Sequence, residues 1–287
     1  MRIDLLRRFL RHRGAALGLG FLLGLAVLAL LAPVLSLDPL AQDYANVLKG
    51  PSPAHWFGTD ELGRDILARV IYGARTSLLT AIGAVAIAGV IGVPAGLVSG
   101  FFGGWRDDVL MRVVDVLLAL PGILLAMALI AILGQNQVAA LVAVGVTGIP
   151  GFARVTRAQV LTLRKRDFVL AVEAFGGSAA YSIRRAVLPN SWSPILVQAI
   201  VLSSVAILLE AALSFLGVGI APPTPSWGQM LDTGKEYLYE APTYAVLPGL
   251  ALTLTILSLD AIGRALAAEI GNREAVATEM LAGEEGA

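Results

Sequence analysis

The 287-residue chain contains no cysteine and only two histidines, His12 and His55. The absence of cysteine excludes disulfides, thiolate metal sites and a cysteine nucleophile. The two histidines are far apart in sequence, and no H-E-x-x-H, G-x-S-x-G or G-x-x-x-x-G-K-[ST] motif is present. The last of these would supply the backbone cradle for the phosphates of ATP. The sequence therefore predicts no enzyme activity, no metal site and no cofactor in this chain.

Charge is also scarce. Charged residues make up 15% of the chain and hydrophobic residues 57%, with a mean hydropathy of +0.78 and a formal net charge of zero. Soluble domains carry about 25% charged and roughly 45–50% apolar residues. The charges are clustered and leave long uncharged runs, whereas a bilayer span needs about 20 apolar residues. The chain is predicted to be an all-α membrane protein.

The uncharged runs predict six transmembrane helices. One run of 38 residues is long enough for two helices, separated by the polar break Gly134–Gln137. The uncharged stretch from Ala211 to Leu231 contains APPTPSW, and its second half is predicted to be a loop because the prolines would interrupt a helix. The remaining runs give one helix each. The predicted spans lie within Gly14–Leu37, Thr76–Trp105, Val116–Ala153 (two helices), Ala186–Leu209 and Ala241–Leu259.

The distribution of arginine and lysine predicts the orientation. With the N-terminus in the cytoplasm, 16 of the 21 basic residues fall in cytoplasmic segments, and 5 fall outside. We therefore expect both termini in the cytoplasm. We divide the chain into residues 1–75 (N-terminal arm, first span and external segment), 76–271 (a core of five spans with a loop at about 154–190) and a cytoplasmic tail, 272–287.

The loop between the fourth and fifth spans contains a short apolar helix. Asp167 is expected to cap it, and Gly176 and Gly177 to end it through a left-handed residue. Ser178 would cap a second helix that ends before Pro189. About eight residues reach only roughly 12 Å, which is too short to cross a bilayer. Two readings remain open: an interaction surface, or a helix folded against the bilayer or the protein's own spans. The apolar face consists of Phe168, Ala171, Val172 and Phe175, with Leu170 beside it and Glu173 as the only charge.

Other charged side chains are candidates for functional groups. Asp115 and Glu210 are predicted at membrane depth, where an ionised group is costly; they serve either a functional site or a structural pairing with a hydroxyl, amide or arginine. Asp260, with Arg264 four residues later, is expected at the interface. Thr59 to Tyr72 is predicted to form an external amphipathic helix that is capped by Thr59 or Asp60. Two readings remain open for this segment: a part of an external gate, or a loop staple with no part in transport. Its polar residues are Thr59, Asp60, Glu61, Arg64 and Asp65.

The loop after the fourth span resembles the E-A-A-x3-G-x9-I-x-L-P loop of ABC importer permeases. Ala171, Gly176, Leu188 and Pro189 agree with it, while Leu170 stands at the position of the family's glutamate and Ala186 at that of its isoleucine. In the family this loop forms the coupling helix that inserts into the ATP-binding subunit. The resemblance implies that Phe168, Leu170, Ala171, Val172, Glu173, Phe175, Gly176, Leu188 and Pro189 contact such a subunit, and Glu173 is a candidate replacement for the missing carboxylate.

Five further segments resemble permeases of the dipeptide, oligopeptide and nickel importer group, in particular the "C"-type member of their two unlike permeases. These are HWFGTDELGRDILARVIYGARTSL (55–78), FGGW-D (102–107), MRVVDVLLALPG (111–122), EAALSFLGVGIAPPTPSWGQML (210–231) and LPGLALTLTILSLD (247–260). The resemblance extends to about Gly271. It implies the type I importer permease fold in the plasma (inner) membrane of a prokaryote, and a peptide substrate, with nickel chelates or another small solute as alternatives.

The resemblance also implies partners. We expect a second, related permease, two ATP-binding subunits that hold ATP and Mg²⁺, an extracytoplasmic substrate-binding protein and membrane lipid, but no nucleic acid. In the family the external face meets the substrate-binding protein, so the resemblance makes the polar residues of the 59–65 segment candidates for its docking surface. A secondary transporter or channel is the alternative from another class. It would call for more spans or inverted repeats. No convincing internal repeat is present, and such a protein would have no use for the coupling loop.

Overall fold

The protein is almost entirely helical. The computed structural model describes residues 12–34 and 37–285, with side chains to residue 271. The basic residues of positions 1–11, used to predict orientation, and the side chains of the 272–287 tail lie outside the described range. Within that range, β structure is limited to one isolated bridge between Thr59 and Asp65. The α-helices are α1 (Arg13–Leu31), α2 (Ile66–Phe102), α3 (Gly104–Leu118), α4 (Gly122–Leu133), α5 (Gln137–Leu163), α6 (Asp167–Ala174), α7 (Ala179–Tyr181), α8 (Leu188–Phe215), α9 (Trp227–Gly234) and α10 (Thr243–Glu285).

Among the described residues, five helical stretches are long and apolar enough to cross a membrane. They comprise α1, α2, α5, the continuous helical path Ala179–Phe215 and the Thr243–Gly271 part of α10. The pair α3 and α4 provides a sixth crossing if the two are counted as one broken span. The predicted all-α bundle of apolar helices is thus confirmed. The first span ends at Leu31 rather than near Leu37, because Pro33 has no N–H to continue the helical hydrogen bonds.

The third span is broken into two helices just before Gly122. α3 and α4 are separated by Ala119–Pro121 and bent by 87° relative to each other. α4 has 12 residues, so it is about 18 Å long and shorter than the roughly 30 Å hydrocarbon layer. The predicted break at Gly134–Gln137 is confirmed: α4 ends at Leu133, and the Asn136 side chain accepts a hydrogen bond from the Ala139 N–H at 2.9 Å to cap α5.

The longest helix contact joins α2 and α5 through small residues. Ala84, Ala88, Gly92, Gly96 and Gly100 recur at every fourth position and form one buried stripe along α2. At Gly96 the two backbones approach so closely that a Cβ atom would lie 2.5 Å from the Ala153 carbonyl oxygen. Small residues permit such an approach between membrane helices, where lipid gives no hydrophobic drive for association. We call this contact between α2 and α5 the spine, because it is the most extensive helix contact in the bundle.

At one end of the spine, two segments fold together into what we call the cap: residues 37–65 and 216–242. The Arg69 side chain donates to the Pro39 carbonyl, and the Trp227 indole donates to the Val70 carbonyl at 2.9 Å. Gln135, in the α4–α5 turn, donates to the Gly217 carbonyl at 3.1 Å. The opposite end, which we call the basic end, carries residues 154–188. The loops before α2, between α4 and α5 and before α10 therefore share one end.

Two expectations for the cap were wrong. Thr59–Tyr72 is not a separate helix: residues 59–65 form a turn, and α2 begins at Ile66, capped by Asp65, whose side chain accepts from the Ala68 N–H at 2.8 Å. α2 therefore starts ten residues before Thr76 and crosses the predicted boundary at 75/76 without a break. Residues 221–231 are not all loop either, because Ser226 caps α9 and returns Trp227–Gly234 to a helix.

Candidate coupling surface and the opposite cap

The short helix α6 is held to the bundle by a single buried side chain. Val169 is fully buried and packs in a cluster with Leu97 at the end of α2, Val160 in α5 and Val187 before α8. Val172 is half-buried on the same side, so the predicted apolar face is split. The side chains on the other faces point into solvent: Phe168 is 44% exposed, Leu170 48% and Phe175 92%, and Ala171 and Glu173 are also exposed.

The termini of α6 follow the sequence in part. Gly176 has φ +79°, its N–H donates to the Glu173 carbonyl at 3.0 Å, and the Gly177 N–H donates to the Val172 carbonyl at 2.9 Å. These two bonds form a Schellman motif, which confirms the predicted glycine stop. The expected Asp167 cap was wrong. Arg166 occupies the capping position without a side-chain bond, and Asp167 is the first helical residue, where its charge still suits the helix N-terminus.

The second helix begins as predicted but does not end before Pro189. Ser178 caps α7, its hydroxyl accepting from the Tyr181 N–H at 3.3 Å. The chain then continues through one π-helical segment, Ser182–Val187, into α8. The Leu188 N–H donates to the Ile183 carbonyl, five residues back. Because a π segment loosens the ladder of hydrogen bonds, Pro189, which has no N–H, is accommodated in the first turn of α8.

Side chains then satisfy the carbonyls of the widened turn. The Asn190 amide donates to the Ala186 carbonyl at 2.6 Å, and the Ser191 hydroxyl donates to the Val187 carbonyl at 2.9 Å. This accounts for the LPNS sequence at residues 188–191: the asparagine and serine support a continuing helix rather than a turn. As a result, α6 packs against a continuous helical extension of α8.

An open concavity of about 650 Å³ lies between the end of α6 and α7. Phe175 and Tyr181 form two of its walls, and Tyr181 is 55% exposed. Sequence reasoning did not single out Tyr181 or Val169. The spacing of Phe168, Ala171, Val172 and Phe175 fits a buried face, but Val169 is the buried residue because it alone points at the gap between α2, α5 and α8. No periodicity within eight residues identifies that direction.

The exposed side chains of α6 lie beyond the membrane core. Gln137 begins α5 at the cap end and Leu163 ends it 26 residues later, about 39 Å along a helix. The hydrocarbon layer is about 30 Å thick. α6 follows Arg164–Arg166, and all three basic residues are exposed. Phe168, Leu170 and Phe175 therefore face the aqueous side of the basic end rather than lipid.

The cap buries charge where the basic end exposes apolar side chains. Asp60 is fully buried and accepts from the Arg64 Nε at 2.6 Å and from the Arg64 backbone N–H at 2.8 Å. Arg69, 2% exposed, lies 3.3 Å from the same carboxylate, and Arg64 also donates to Glu61 at 2.7 Å. Two carboxylates and two guanidinium groups thus neutralise each other. This network joins the first cap segment to the start of α2.

The remaining predicted residues of this segment also make internal bonds. Thr59 is buried and accepts from the Lys49 N–H at 2.9 Å, and Asp65 accepts from the α2 backbone and pairs with His55 at 2.8 Å. Neither Thr59 nor Asp60 is accessible to a docked protein in this conformation. Their predicted role in a gate or docking surface stays a prediction.

Glu210 lies fully buried in α8, at the contact of three elements. The hydroxyl of Ser77 in α2 donates to one carboxylate oxygen at 3.1 Å, and the hydroxyls of Ser214 and Ser226 donate to the other at 3.0 Å. Ser214 in turn accepts from the Ile220 N–H at 3.3 Å, and Ser226 caps α9. Of the two readings left open for Glu210, these bonds support the structural one: the carboxylate ties the second cap segment to α2.

Asp115 lies elsewhere. It is exposed in α3 and bonded to Arg154 of α5 at 2.7 Å, so it has the arginine partner that the structural reading requires. Asp260 pairs with Arg264, as its spacing predicts. The predicted site residues thus separate into a group on α6 and its flanks, a buried group in the cap, and Asp115 on α3. Among the residues with described side chains, no cluster of three potential metal ligands occurs.

Comparison with known families gives the context for this arrangement. Residues 92–272 match the family model described as "Binding-protein-dependent transport system inner membrane component". This range contains α5, α6 and Glu210. The chain belongs to this family. A second model, the N-terminal TM domain of oligopeptide transport permease C, matches residues 2–51, which identifies the first span as the N-terminal element of this kind of permease.

Curated relatives cover nearly the whole permease. The dipeptide transport system permease protein DppC of Alkalihalophilus pseudofirmus is 40% identical over 89% of this chain and 84% of its own length. The glutathione transport system permease protein GsiD of Pectobacterium atrosepticum is 40% identical over 91% of this chain and 87% of its own length. The di/tripeptide transport system permease protein DppC of Pseudomonas aeruginosa is also 40% identical, over 90% and 88%.

A solved structure supports the fold. The permease matches a chain of the inward-facing MetNI methionine ABC transporter with a TM-score of 0.54 and 20% identity, over 70% of this chain and 97% of that chain. The fold is therefore that of a type I ABC importer permease, as predicted. The protein is a multi-pass permease of the inner membrane, and the secondary-transporter alternative is set aside.

Proposed function

We propose that this permease forms one membrane half of an ATP-driven importer, and that the exposed face of α6 is the surface on which an ATP-binding subunit docks. The supporting observation is the placement of Phe168, Leu170 and Phe175 beyond the membrane core. Three large apolar side chains on one short helix are costly to leave in water, and such patches mark interaction sites. The concavity beside Phe175 would receive a side chain of the partner.

The proposal includes an orientation and a mechanism. The basic end faces the cytoplasm, in agreement with the excess of arginine and lysine there, and both termini lie on that side. ATP and Mg²⁺ are held by the partner subunits. When these close on ATP, α6 moves with them, and its packing through Val169 against Val187 carries the movement into α8. The spans then alternate between inward and outward access, and hydrolysis in the partner resets them.

The partners follow from the same scheme. A second, related permease would complete the pathway, each permease would hold one ATP-binding subunit, and an extracytoplasmic binding protein would deliver substrate to the cap. The buried ionic network and the Glu210 cluster make the cap a preformed platform for this docking. Its outer surface offers exposed side chains such as Trp56 and Tyr239, which are 70% and 100% exposed.

We propose a peptide as the substrate. Support comes from the names of relatives, which are dipeptide, di/tripeptide and glutathione permeases at about the same identity. All three substrates are short peptides or γ-linked peptides, with a charged amino and carboxyl group. Nickel chelates and other small solutes remain the alternatives within this group.

Co-purification from native membranes tests the docking proposal. The tagged chain is extracted in mild detergent, as wild type and as the double variant Phe168→Asp, Phe175→Asp, and its partners are identified by mass spectrometry. We expect ATP-binding subunits with the wild type and a loss of at least about tenfold in the double variant, because each aspartate places a charge in an apolar contact.

Tyr239→Asp is the matched control, since it introduces the same charge at a fully exposed aromatic residue of the opposite end. It is expected to retain the ATP-binding subunits. If no ATP-binding subunit accompanies the wild type, or if the double variant retains as much as Tyr239→Asp does, the assignment of α6 as the docking element is wrong.

A further inference from the structure

Helix α3 carries a second exposed apolar stripe that the function above does not use. Trp105, Val109, Val113 and Val116 are 71%, 51%, 57% and 70% exposed. Their spacing of four, four and three residues places them within about 80° on one face of a helix. Such a stripe differs from the isolated apolar residues that are normal on any surface, because its members are contiguous.

The opposite side of α3 is fixed to the bundle. Asp107 accepts two hydrogen bonds from Arg157 of α5, at 2.7 and 2.6 Å, and Asp115 accepts one from Arg154 at 2.7 Å. Asp107 also accepts from Ser99 of α2, and Val114 is buried. These contacts determine the rotation of α3 about its own axis, so its apolar stripe faces away from the protein.

Helix α3 lies across the bundle rather than along it. α4 runs alongside α5: it ends at the turn that leads into Gln137, and its first residue, Gly122, lies against Thr147. Ten residues of α5 separate Gln137 from Thr147, about 15 Å, which is close to the length of α4 itself. The two helices are therefore nearly antiparallel. α3 is bent by 87° from α4, so it is nearly perpendicular to the membrane-crossing α5.

The ion pairs between α3 and α5 show how far along α5, from its start at the cap end, α3 lies. Arg154 and Arg157 lie 17 and 20 residues after Gln137, about 26 and 30 Å along α5. This distance equals the thickness of the hydrocarbon layer, so α3 lies at the membrane interface on the basic end. A helix perpendicular to the spans at this depth lies in the plane of the interface.

Two arginines flank the stripe. Arg106 and Arg112 are exposed, and at about 100° per residue they lie on either edge of the face that carries Trp105. Arg106 is held over the rings of Phe102 and Trp105, at 4.6 and 5.8 Å from their centroids. Asp108 lies beyond Arg112 and is the one exposed acid near it, because Asp115 is paired with Arg154. The stripe therefore carries one excess positive charge.

We propose that α3 is an interfacial anchor whose apolar stripe enters the bilayer and whose arginines bind the phosphate of anionic phospholipids. Amphipathic helices with arginine at the edges and tryptophan and aliphatic residues on the apolar face bind membranes in this way. Indole rings favour the headgroup level, and guanidinium groups pair with phosphate by two parallel hydrogen bonds. Because Asp107 and Asp115 join α3 to α5, bound lipid also holds the basic end of the spine in register with the membrane.

The absence of cysteine in the chain allows a direct test of depth. Val109→Cys and Asp108→Cys are made in the full permease, labelled with an environment-sensitive fluorophore and reconstituted in vesicles of phosphatidylcholine and phosphatidylglycerol. Position 109 is expected to give blue-shifted emission that is quenched by lipids with a nitroxide high on the acyl chain. Position 108, the matched control one residue along the same helix, should be quenched mainly from the aqueous phase.

Quenching of position 109 by aqueous quenchers alone would overturn the proposal. So would blue-shifted emission that neither quencher reaches in the assembled importer, since a partner protein would then cover the stripe.

Lipid selectivity is measured on the same protein. The amount of phosphatidylglycerol retained in native mass spectrometry is compared between the wild type and Arg106→Gln, Arg112→Gln. We expect apparent affinity to fall roughly 30-fold in the double variant, from the electrostatic contribution of two basic side chains at an anionic surface. Arg184→Gln, Arg185→Gln removes two exposed arginines next to α6 and serves as the control. Equal retention in the two double variants would contradict binding at α3.

Discussion

The cap and the basic end differ in which side chains they bury and which they expose. In the cap and where it meets α2 and α8, side chains that prefer water are buried: Asp60, Arg69 and Glu210 are 0–2% exposed. At the basic end, side chains that avoid water are exposed: Phe168, Leu170 and Phe175 are 44–92% exposed on one short helix. Each buried carboxylate of the cap accepts at least three hydrogen bonds from the chain itself, whereas the α6 surface has no counterpart within the described residues.

The polar groups of the cap are satisfied by contacts within the chain, whereas the apolar side chains of α6 are not covered by the described residues. Buried charge is tolerated only when it is paired and bonded, and Asp60 meets that condition within the chain, through Arg64 and Arg69. Exposed apolar area gains free energy only when another surface covers it. The cap therefore contributes to the stability of the permease alone, whereas α6, under the docking proposal, contributes to assembly. Substitutions in the cap should therefore lower the free energy of unfolding, and substitutions on α6 should weaken the association with a partner subunit.

The largest loss of stability is expected for Asp60→Ala. The change leaves the Arg64 and Arg69 guanidinium groups buried without their shared carboxylate. Removal of one member of a buried pair costs about 3–5 kcal/mol. Thermal unfolding of the purified permease in detergent would measure this as a lower Tm.

Asp232→Ala is the control for this loss, because Asp232 pairs with Lys235 at an exposed site. It should cost no more than about 1 kcal/mol. Similar losses in the two variants would mean that the Asp60 network is not a sealed, buried unit, and the contrast between the two ends would disappear.

Glu210→Ala should rank next, at roughly 3 kcal/mol. It removes the acceptor for three buried hydroxyls, and each unsatisfied group costs about 1–3 kcal/mol, reduced where a hydroxyl rotates to another acceptor. Glu210→Gln keeps one acceptor oxygen and is expected to lose only about 1 kcal/mol. Hydrogen exchange across residues 216–234 would show whether the loss is centred in the cap. Unchanged protection there in Glu210→Ala would contradict the role of the carboxylate as a tie to α2.

The spine connects the two ends and predicts an intermediate effect. Gly96→Ala adds a methyl group 2.5 Å from the Ala153 carbonyl, so the backbones of α2 and α5 must separate, at a cost of about 2 kcal/mol. Gly89→Ala on the same helix meets only a Phe152 ring atom at 3.9 Å and should be neutral or slightly stabilising. The two values of Tm are compared directly. A Gly96→Ala protein as stable as Gly89→Ala would show that the close approach is not required.

The smallest change in stability is expected at α6. Phe168→Asp and Phe175→Asp alter exposed positions, and each should shift the free energy of unfolding by less than about 0.5 kcal/mol. The new charge suits the helix N-terminus at Phe168 and opposes the C-terminus at Phe175, so the two shifts have opposite sign. Tm measurement of the isolated permease checks this. A loss comparable to that of Asp60→Ala would mean that α6 is part of the core.

Much of the arrangement is predictable from the sequence where the signal is local. The uncharged runs predict the membrane helices, Gly134–Gln137 separates α4 from α5, and Gly176 ends α6, because each depends on composition or on one residue's backbone preference. The resemblance of the 170–189 segment to a known loop predicts the family. The outward direction of Phe168 and Phe175 also agrees with that resemblance.

The expectations that failed depend on contacts between distant segments. Thr59 and Asp60 have the side chains of helix caps, but they bond to residues 46–64, and Asp65 caps α2 instead. Pro189 predicts the end of a helix, but the helix continues through it because of the π segment and the hydrogen bond from the Asn190 side chain. The direction of Val169 is determined by the surfaces of α2, α5 and α8. No short sequence window contains that information.

The most direct test of the account replaces Phe175 by the photo-crosslinking amino acid p-benzoylphenylalanine in the importer as it assembles in native membranes. Phe175 is the most exposed apolar residue of α6 and borders the concavity beside it. The same replacement at Tyr239 provides the control at the opposite end. We expect a crosslink from position 175 to an ATP-binding subunit and none to that subunit from position 239. A crosslink from position 175 only to lipid, or to this chain itself, would contradict docking on α6.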